Sequence, residues 1–293
     1  MTFNDDANIG SGRVSRRGRN TAIGVGGGGV VGIIVLVVAL LGGPNLTGIL
    51  GGTGTGTDSG PSEEVCAGGT GADANTDINC RMKGAAASID AYWTNVAPDM
   101  GFDYTPTQVV LFDGETETGC GQATSAVGPF YCPADQIIYL DTAFFAELHD
   151  RFGASGGSLS EMYVVAHEWG HHIQTITGIN NGLDLQDTGP SSDSVRLELQ
   201  ADCFAGAWAG SASTTNDASG TPFLKTFTDL DIADALSAAS AVGDDRIQES
   251  TEGQVNPESW THGSSEQRQR WFTTGLEQGP QGCTTFDVSA SDL

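Results

Sequence analysis

The sequence predicts an α+β domain, mostly helical with a small sheet, preceded by one N-terminal transmembrane helix. Three observations predict it. Apolar residues recur at helical spacing in several segments beyond residue 78. Two short runs rich in β-branched and aromatic residues interrupt them. Near the start, a cluster of arginines precedes an uncharged apolar stretch.

The N-terminal elements come first. Arg13, Arg16, Arg17 and Arg19 are followed by a run without charge from Asn20 to Asn45. As a helix, Ile23 to Leu41 would span about 28 Å, enough for a bilayer core. Gly26 to Gly29 thin its first half, so the dense part is Val30 to Leu41. Arginines before the run and none just after predict a cytoplasmic N-terminus and an external C-terminus. The expected boundaries are therefore a cytoplasmic basic segment over 1–20, a membrane anchor over 21–43, a Gly/Thr/Ser-rich linker over 44–65, and an extracytoplasmic domain over 66–293. A cleaved signal peptide, leaving a secreted protein, is the competing reading. It has a short hydrophobic region and the small Gly42-Gly43 in its favour, and no A-x-A site or lipobox cysteine.

Within the domain, Asn79 to Asn95 reads as a helix that stops before Pro98. Gln108 to Phe112 and Gln136 to Leu140 read as strands, the second either an edge strand for an extended substrate or an ordinary core strand. Asp141 can cap a helix over Thr142 to Phe152. The next helix runs from about Glu161 to Thr177, with Ser158 and Ser160 as candidate N-caps and Gly178 as its stop. A loop rich in Gly, Asp and Asn, with a possible lid over 182–192, leads to a long helix over Val195 to Ala212. Asp229 to Val242 and Ser264 to Glu277 complete the helices, and Ser264 with Gln267 has capping-box spacing.

The formal net charge is -25, and Lys83 and Lys225 are the lysines of the chain. Such a surface repels polyanions, so no nucleic-acid partner is expected. All six cysteines (Cys66, Cys80, Cys120, Cys132, Cys203 and Cys283) lie beyond the membrane stretch, which favours disulfides. Pairing of neighbours gives Cys66–Cys80, Cys120–Cys132 and Cys203–Cys283, one of about fifteen connectivities that sequence allows. No C-x-x-C occurs, so a zinc ribbon is not indicated.

The informative motif is His167-Glu168-Trp169-Gly170-His171. In a chain with 5 His, chance would give H-E-x-x-H on the order of 0.005 times. On a helix, His167 and His171 stack one turn apart and can reach one metal ion, while Glu168 projects beside it, placed to take a proton from water. Apolar Met162 to Ala166 just upstream predicts that this helix is buried, where a polar cluster needs a partner such as a cation. Zinc with two histidines takes a third protein ligand and keeps an open position. Glu198 is the candidate, on a helix whose Cys203 to Trp208 is apolar. Asp202, one turn on, could accept the free N–H of a ligating histidine. His262, in a Gly-Ser loop before a helix, is the candidate second catalytic residue, donating to an oxyanion, with a structural role as the alternative. Tyr131 and Tyr139 are weaker candidates, His172 is expected in packing, and His149 at the surface.

Those residues resemble the gluzincin arrangement. The chain is similar to the bacterial family of putative neutral zinc metallopeptidases in Thr118 to Gly121, Gly128 to Asp135, His167 to His172, Glu198 to Ala205, Gly243 to Arg246 and Thr261 to Gly263. The resemblance implies a zincin-like domain behind a single-pass anchor, one zinc ion per chain, and disulfides at Cys120–Cys132 and Cys203–Cys283. It implies a peptide or protein substrate and contact with the membrane through the N-terminal helix. The expected activity is peptide-bond hydrolysis outside the membrane, with Glu168 as general base. The alternative is a catalytically idle, zinc-stabilised cell-envelope binding domain. Hydrolysis of a non-peptide amide would differ only in substrate.

Overall fold

The structure, a computed structural model, describes residues 2–17 and 62–293. Along the chain come β1 (Val14–Arg17), β2 (Ser62–Glu64), α1 (Gly71–Ala74), α2 (Ile78–Met100), β3 (Gln108–Leu111), β4 (Glu115–Thr118), β5 (Gly121–Thr124), β6 (Phe130–Cys132), β7 (Ile137–Leu140), α3 (Phe144–Asp150), α4 (Ser158–Thr177), α5 (Asp193–Ser211), α6 (Asp229–Ala241), α7 (Asp244–Glu252) and α8 (Ser265–Gln278). The described residues thus form an α+β fold. One sheet has the order β2-β1-β3-β7-β6, and β4 with β5 makes a separate hairpin.

Helix ends follow local chemistry, with three departures from expectation. α2 runs through Pro98 to Met100, because a proline in the last turn breaks little of the ladder and Gly101, at φ 82°, ends the helix. α4 starts directly after Gly157, so neither Ser158 nor Ser160 caps it; Gly178 closes it as predicted. Asp141 lies two residues before the N-cap Ala143, whose N–H its Oδ1 accepts, and α3 is shorter than expected. Ser192 caps α5, and Ser264 with Gln267 forms the predicted capping box on α8.

Two sheet positions correct the sequence reading. β7 is not an edge strand: β3 pairs with it in parallel and β6 antiparallel, so its main chain is engaged on both sides. β6 forms that edge of the sheet. Residues 2–17, expected as a separate cytoplasmic segment, are built into the domain instead. Phe3, Ala7, Ile9 and Val14 are buried in its core, and β1 lies between β2 and β3. Three of the arginines that suggested a cytoplasmic flank make contacts within the fold: Arg13 pairs with Asp90 (3.5 Å) and Arg16 with Asp113 (2.8 Å), while Arg17 covers the Tyr139 ring. The end of the expected linker forms β2, with Val65 buried behind it.

The predicted membrane helix at 21–43 and linker residues 44–61 lie outside the described residues. Among the described residues, no helix is long and apolar enough to cross a membrane. The cysteines pair as neighbours, Cys66–Cys80, Cys120–Cys132 and Cys203–Cys283. The last joins α5 to the chain beyond α8.

Candidate metal centre

The centre is made where α4 crosses α5. At Gly170 the two backbones come so close that a Cβ would lie 2.8 Å from the Cα of Ala201. That approach brings Glu198, one turn earlier on α5, against both histidines of α4. His167 Nε2 stands 3.2 Å from Glu198 Oε2, and His171 Nε2 stands 3.4 Å from Oε1. Ligand atoms of all three residues lie within 4.8 Å of one another.

This donor set fits zinc. Bonds of about 2.0–2.1 Å in a tetrahedron put neighbouring ligand atoms about 3.3 Å apart, close to the two spacings observed. Glu198 Oε1 is moreover buried without a hydrogen-bond partner, an arrangement that costs free energy unless a cation satisfies it. Each histidine keeps Nε2 for the centre because its other nitrogen is engaged. His167 Nδ1 donates to Asp202 Oδ1 (2.8 Å), and His171 Nδ1 to Gln174 Oε1 (2.9 Å). Such bonds fix the ring and its tautomer.

A second layer holds Asp202. Arg268 on α8 donates from Nε to Oδ2 (2.8 Å) and from Nη2 to Oδ1 (3.0 Å), and the Tyr163 hydroxyl donates to Oδ1 (2.5 Å). All three residues are buried. Burial alone would raise the Asp202 pKa, but Arg268 and then His167 outweigh it and hold the carboxylate ionised. The same competition sets the ligands. Burial opposes charge on His167, yet Asp202 and Glu198 overcome it and push its pKa up to about 10. Glu198 falls well below its ordinary value because His171, His262 and His167 outweigh its desolvation.

Glu168 points into the same space under different conditions. Burial dominates there and raises its pKa, only partly offset by the neighbouring histidines and the main-chain N–H of Tyr131. A carboxylate with raised proton affinity beside a metal suits a general base. His262 also lines the cavity, with Pro129, Phe144, Val164, Val242 and Ile247 supplying an apolar wall. Its Nδ1 faces the Thr261 hydroxyl (3.0 Å) and Asp244 Oδ1 (3.4 Å), leaving Nε2 for the cavity. Asp244 Oδ2 accepts the N–H groups of Thr261, His262 and Gly263 and so fixes the loop.

The remaining expectations resolve simply. His172 bridges the Tyr131 hydroxyl and the Thr105 carbonyl, a packing role that also occupies Tyr131. Tyr139 donates to Asp135, away from the centre. His149 is exposed beside Asp150. Residues 182–192 do not line the cavity; Thr188 and Gly189 are tied to the carbonyls of Glu258 and Trp260. Sequence reasoning missed Arg268, Tyr163, Gln174 and Asp244. Only Asp244, within a family-like segment, carried any signal.

Comparison with known proteins bears on this geometry. A family described as "Putative neutral zinc metallopeptidase" matches residues 3–286. The chain belongs to this family. Relatives of this zinc metallopeptidase family member include the uncharacterized protein Rv2575 of Mycobacterium tuberculosis, 51% identical over 226 residues, 76% of this chain and 75% of that protein. The uncharacterized protein YpfJ of Escherichia coli K12 is 37% identical over 292 residues, 97% of this chain and 96% of that protein. No solved structure matches the chain.

Proposed function

We propose that the protein is a zinc-dependent endopeptidase, with one zinc ion per chain, that hydrolyses peptide bonds outside the cytoplasmic membrane. The observation that carries the reading is the grouping of His167, His171 and Glu198 around an orphaned buried carboxylate oxygen, with Glu168 lining the same cavity. Three disulfides support a non-reducing compartment.

Bound between His167, His171 and Glu198, zinc would supply Lewis acidity toward a carbonyl oxygen and lower the pKa of water. Glu168 takes a proton from water on its carboxylate and returns it to the departing amine. His262 Nε2 donates to the carbonyl oxygen as that atom gains charge, with Asp244 holding the ring in place. Asp202 and Gln174 keep the ligating rings oriented. Among the described residues, strand β6, not β7, offers the free edge along which an extended peptide can pair. Tyr131 of that strand faces Glu168 through its main-chain N–H, and Pro129 just before it lines the cavity. The substrate thus arrives beside the base.

Glu168→Gln tests the proposal on purified protein. Its metal content by mass spectrometry should stay unchanged while peptide-library cleavage falls by about 10²–10⁴-fold. Undiminished cleavage refutes the mechanism. A wild-type protein that holds zinc but cleaves nothing would point instead to the idle, zinc-stabilised binding domain.

A further inference from the structure

We infer that Gln200 is a positioning residue for the metal centre. Through Gln174 it fixes which nitrogen of His171 is left for the ion, and it takes its own orientation from the main-chain carbonyl of Cys283. The inference rests on the zinc-site reading above but not on catalysis.

A chain of hydrogen bonds leads outward from the ring. His171 Nδ1 meets Gln174 Oε1 (2.9 Å). The Gln174 amide nitrogen donates one hydrogen to the Leu197 carbonyl (2.7 Å) and the other to Gln200 Oε1 (3.1 Å). The Gln200 amide nitrogen donates in turn to the Cys283 carbonyl (3.0 Å). Gln174 and Gln200 are both buried, so each lost partner would leave a polar group unpaired.

The ends of this chain decide its sense. A carboxamide can face either way, but a main-chain carbonyl only accepts. Cys283 therefore takes the NH2 end of Gln200 and turns its Oε1 toward Gln174. With Gln200 reversed, two NH2 groups would face one another. Leu197 and Gln200 now offer two acceptors to one amide nitrogen, so Gln174 presents its oxygen to His171. That oxygen also only accepts, which puts the ring proton on Nδ1. Nε2, the nitrogen 3.4 Å from Glu198 Oε1, is left bare. A neutral imidazole carries its proton on either nitrogen, and only the Nδ1–H form suits a ligand that uses Nε2.

The far end of the chain is firmly held. Cys283 is bonded to Cys203 of α5. Just beyond it, the Thr285 hydroxyl donates to the Arg196 carbonyl (2.8 Å), and the Arg196 guanidinium donates back to the carbonyls of Thr285 and Val288. Arg196, Gln200 and Cys203 follow at spacings of four and three, so they share one stripe of α5, while Glu198 and Asp202 share another. The helix thus carries the ligand on one face and the C-terminal segment on another. Gln200 does not line the cavity, so substrate contact gives no reason for a buried carboxamide there.

The test uses the full chain with Gln174→Met, Gln200→Met and the double variant, methionine having a similar length without either hydrogen-bonding end. Zinc affinity is measured by competition with a chelator. Removing a partner of a ligating histidine typically weakens metal binding by about 10–100-fold. Gln174→Met should fall in that range and Gln200→Met near its lower end, about tenfold. The double variant should be no weaker than Gln174→Met, because Gln200 acts through Gln174. Cobalt-loaded Gln200→Met should also show displaced visible bands. Wild-type affinity and an unchanged cobalt spectrum in Gln200→Met overturn the inference, as does a double variant whose loss is the product of the single losses, the mark of two independent packing effects. Wild-type protein that binds no zinc would instead refute the reading of the centre itself. Should Gln200→Met not fold, nitrogen NMR of zinc-free, histidine-labelled wild type decides: the neutral His171 ring should carry its proton on Nδ1, and a proton on Nε2 overturns the inference.

Discussion

Removing the Arg268 guanidinium should destabilise the metal-free domain by about 3–5 kcal/mol, the usual cost of stranding one member of a buried ion pair. The local geometry warrants that range. Arg268 is buried on α8 and makes two hydrogen bonds to Asp202, one to the Tyr163 hydroxyl and one to the Val242 carbonyl. Asp202 is completely buried and keeps only His167 and Tyr163 once Arg268 is gone. Arg268→Met preserves most of the volume and removes the charge. Asp202→Asn does the converse, leaving a buried guanidinium without a counter-charge. If the two groups neutralise each other, the double variant should lose less than the sum of the single losses, by about 1–3 kcal/mol. Urea unfolding with chelator present is the assay, since bound zinc would add its own linkage to each value. Additivity within about 0.5 kcal/mol would show that the pair is not coupled and would refute the role given to Arg268.

Further outcomes follow from the same geometry. Gly170→Ala places a Cβ against the Ala201 backbone, so it should cost about 1–3 kcal/mol and lower zinc occupancy, both measurable on purified protein; normal occupancy would mean that the helix approach does not set the site. His262→Ala should reduce kcat by about 10²–10³-fold with little change in KM or zinc content, and Asp244→Asn should do so more weakly; a pure KM effect would reassign His262 to substrate binding. In the metal-free protein the His167 pKa is raised from 6.5 to about 10. Its stabilising charge is therefore fully present below about pH 6.5 and is lost as pH rises toward that raised value. Because zinc takes only the neutral ring, metal binding near pH 7.5 should release about one proton and tighten roughly tenfold per pH unit. Calorimetry in buffers of different protonation enthalpy measures that release, and a pH-independent affinity would contradict it.

The parts of the centre that the sequence predicted are those held within one helix. His167 and His171 are one turn apart, as are Glu198 and Asp202, so spacing alone places each pair on a face. Apolar neighbours then mark both helices as buried. Apart from Gln174, which meets His171 within α4, what escaped prediction crosses between elements. Nothing in the spacing of Arg268 links it to Asp202, because only the packing of α8 along α5 brings them together. Asp244 likewise acts on a loop eighteen residues further on. Strand order was equally hidden: Gln136 to Leu140 is a β-rich run whether its neighbours number one or two, and only pairing with both β3 and β6 makes it internal.

The N-terminus shows how a local sequence pattern can miss residues that tertiary structure takes into a domain. Arginines followed by apolar residues satisfy the charge rule for membrane orientation only if those arginines are free to interact with the membrane and the cytoplasm. Here Asp90 and Asp113 engage two of them, and Phe3, Ile9 and Val14 are buried far from their sequence neighbours. Fully burying three such side chains is worth roughly 5–9 kcal/mol in all, comparable with the whole stability of an ordinary domain. Their sequence pattern carries little periodicity, since the partners that bury them (α1, α2 and the stretch near Leu224) lie more than fifty residues away. The glycines facing them are legible only in retrospect, because a missing Cβ records where another chain segment must pass without saying which one.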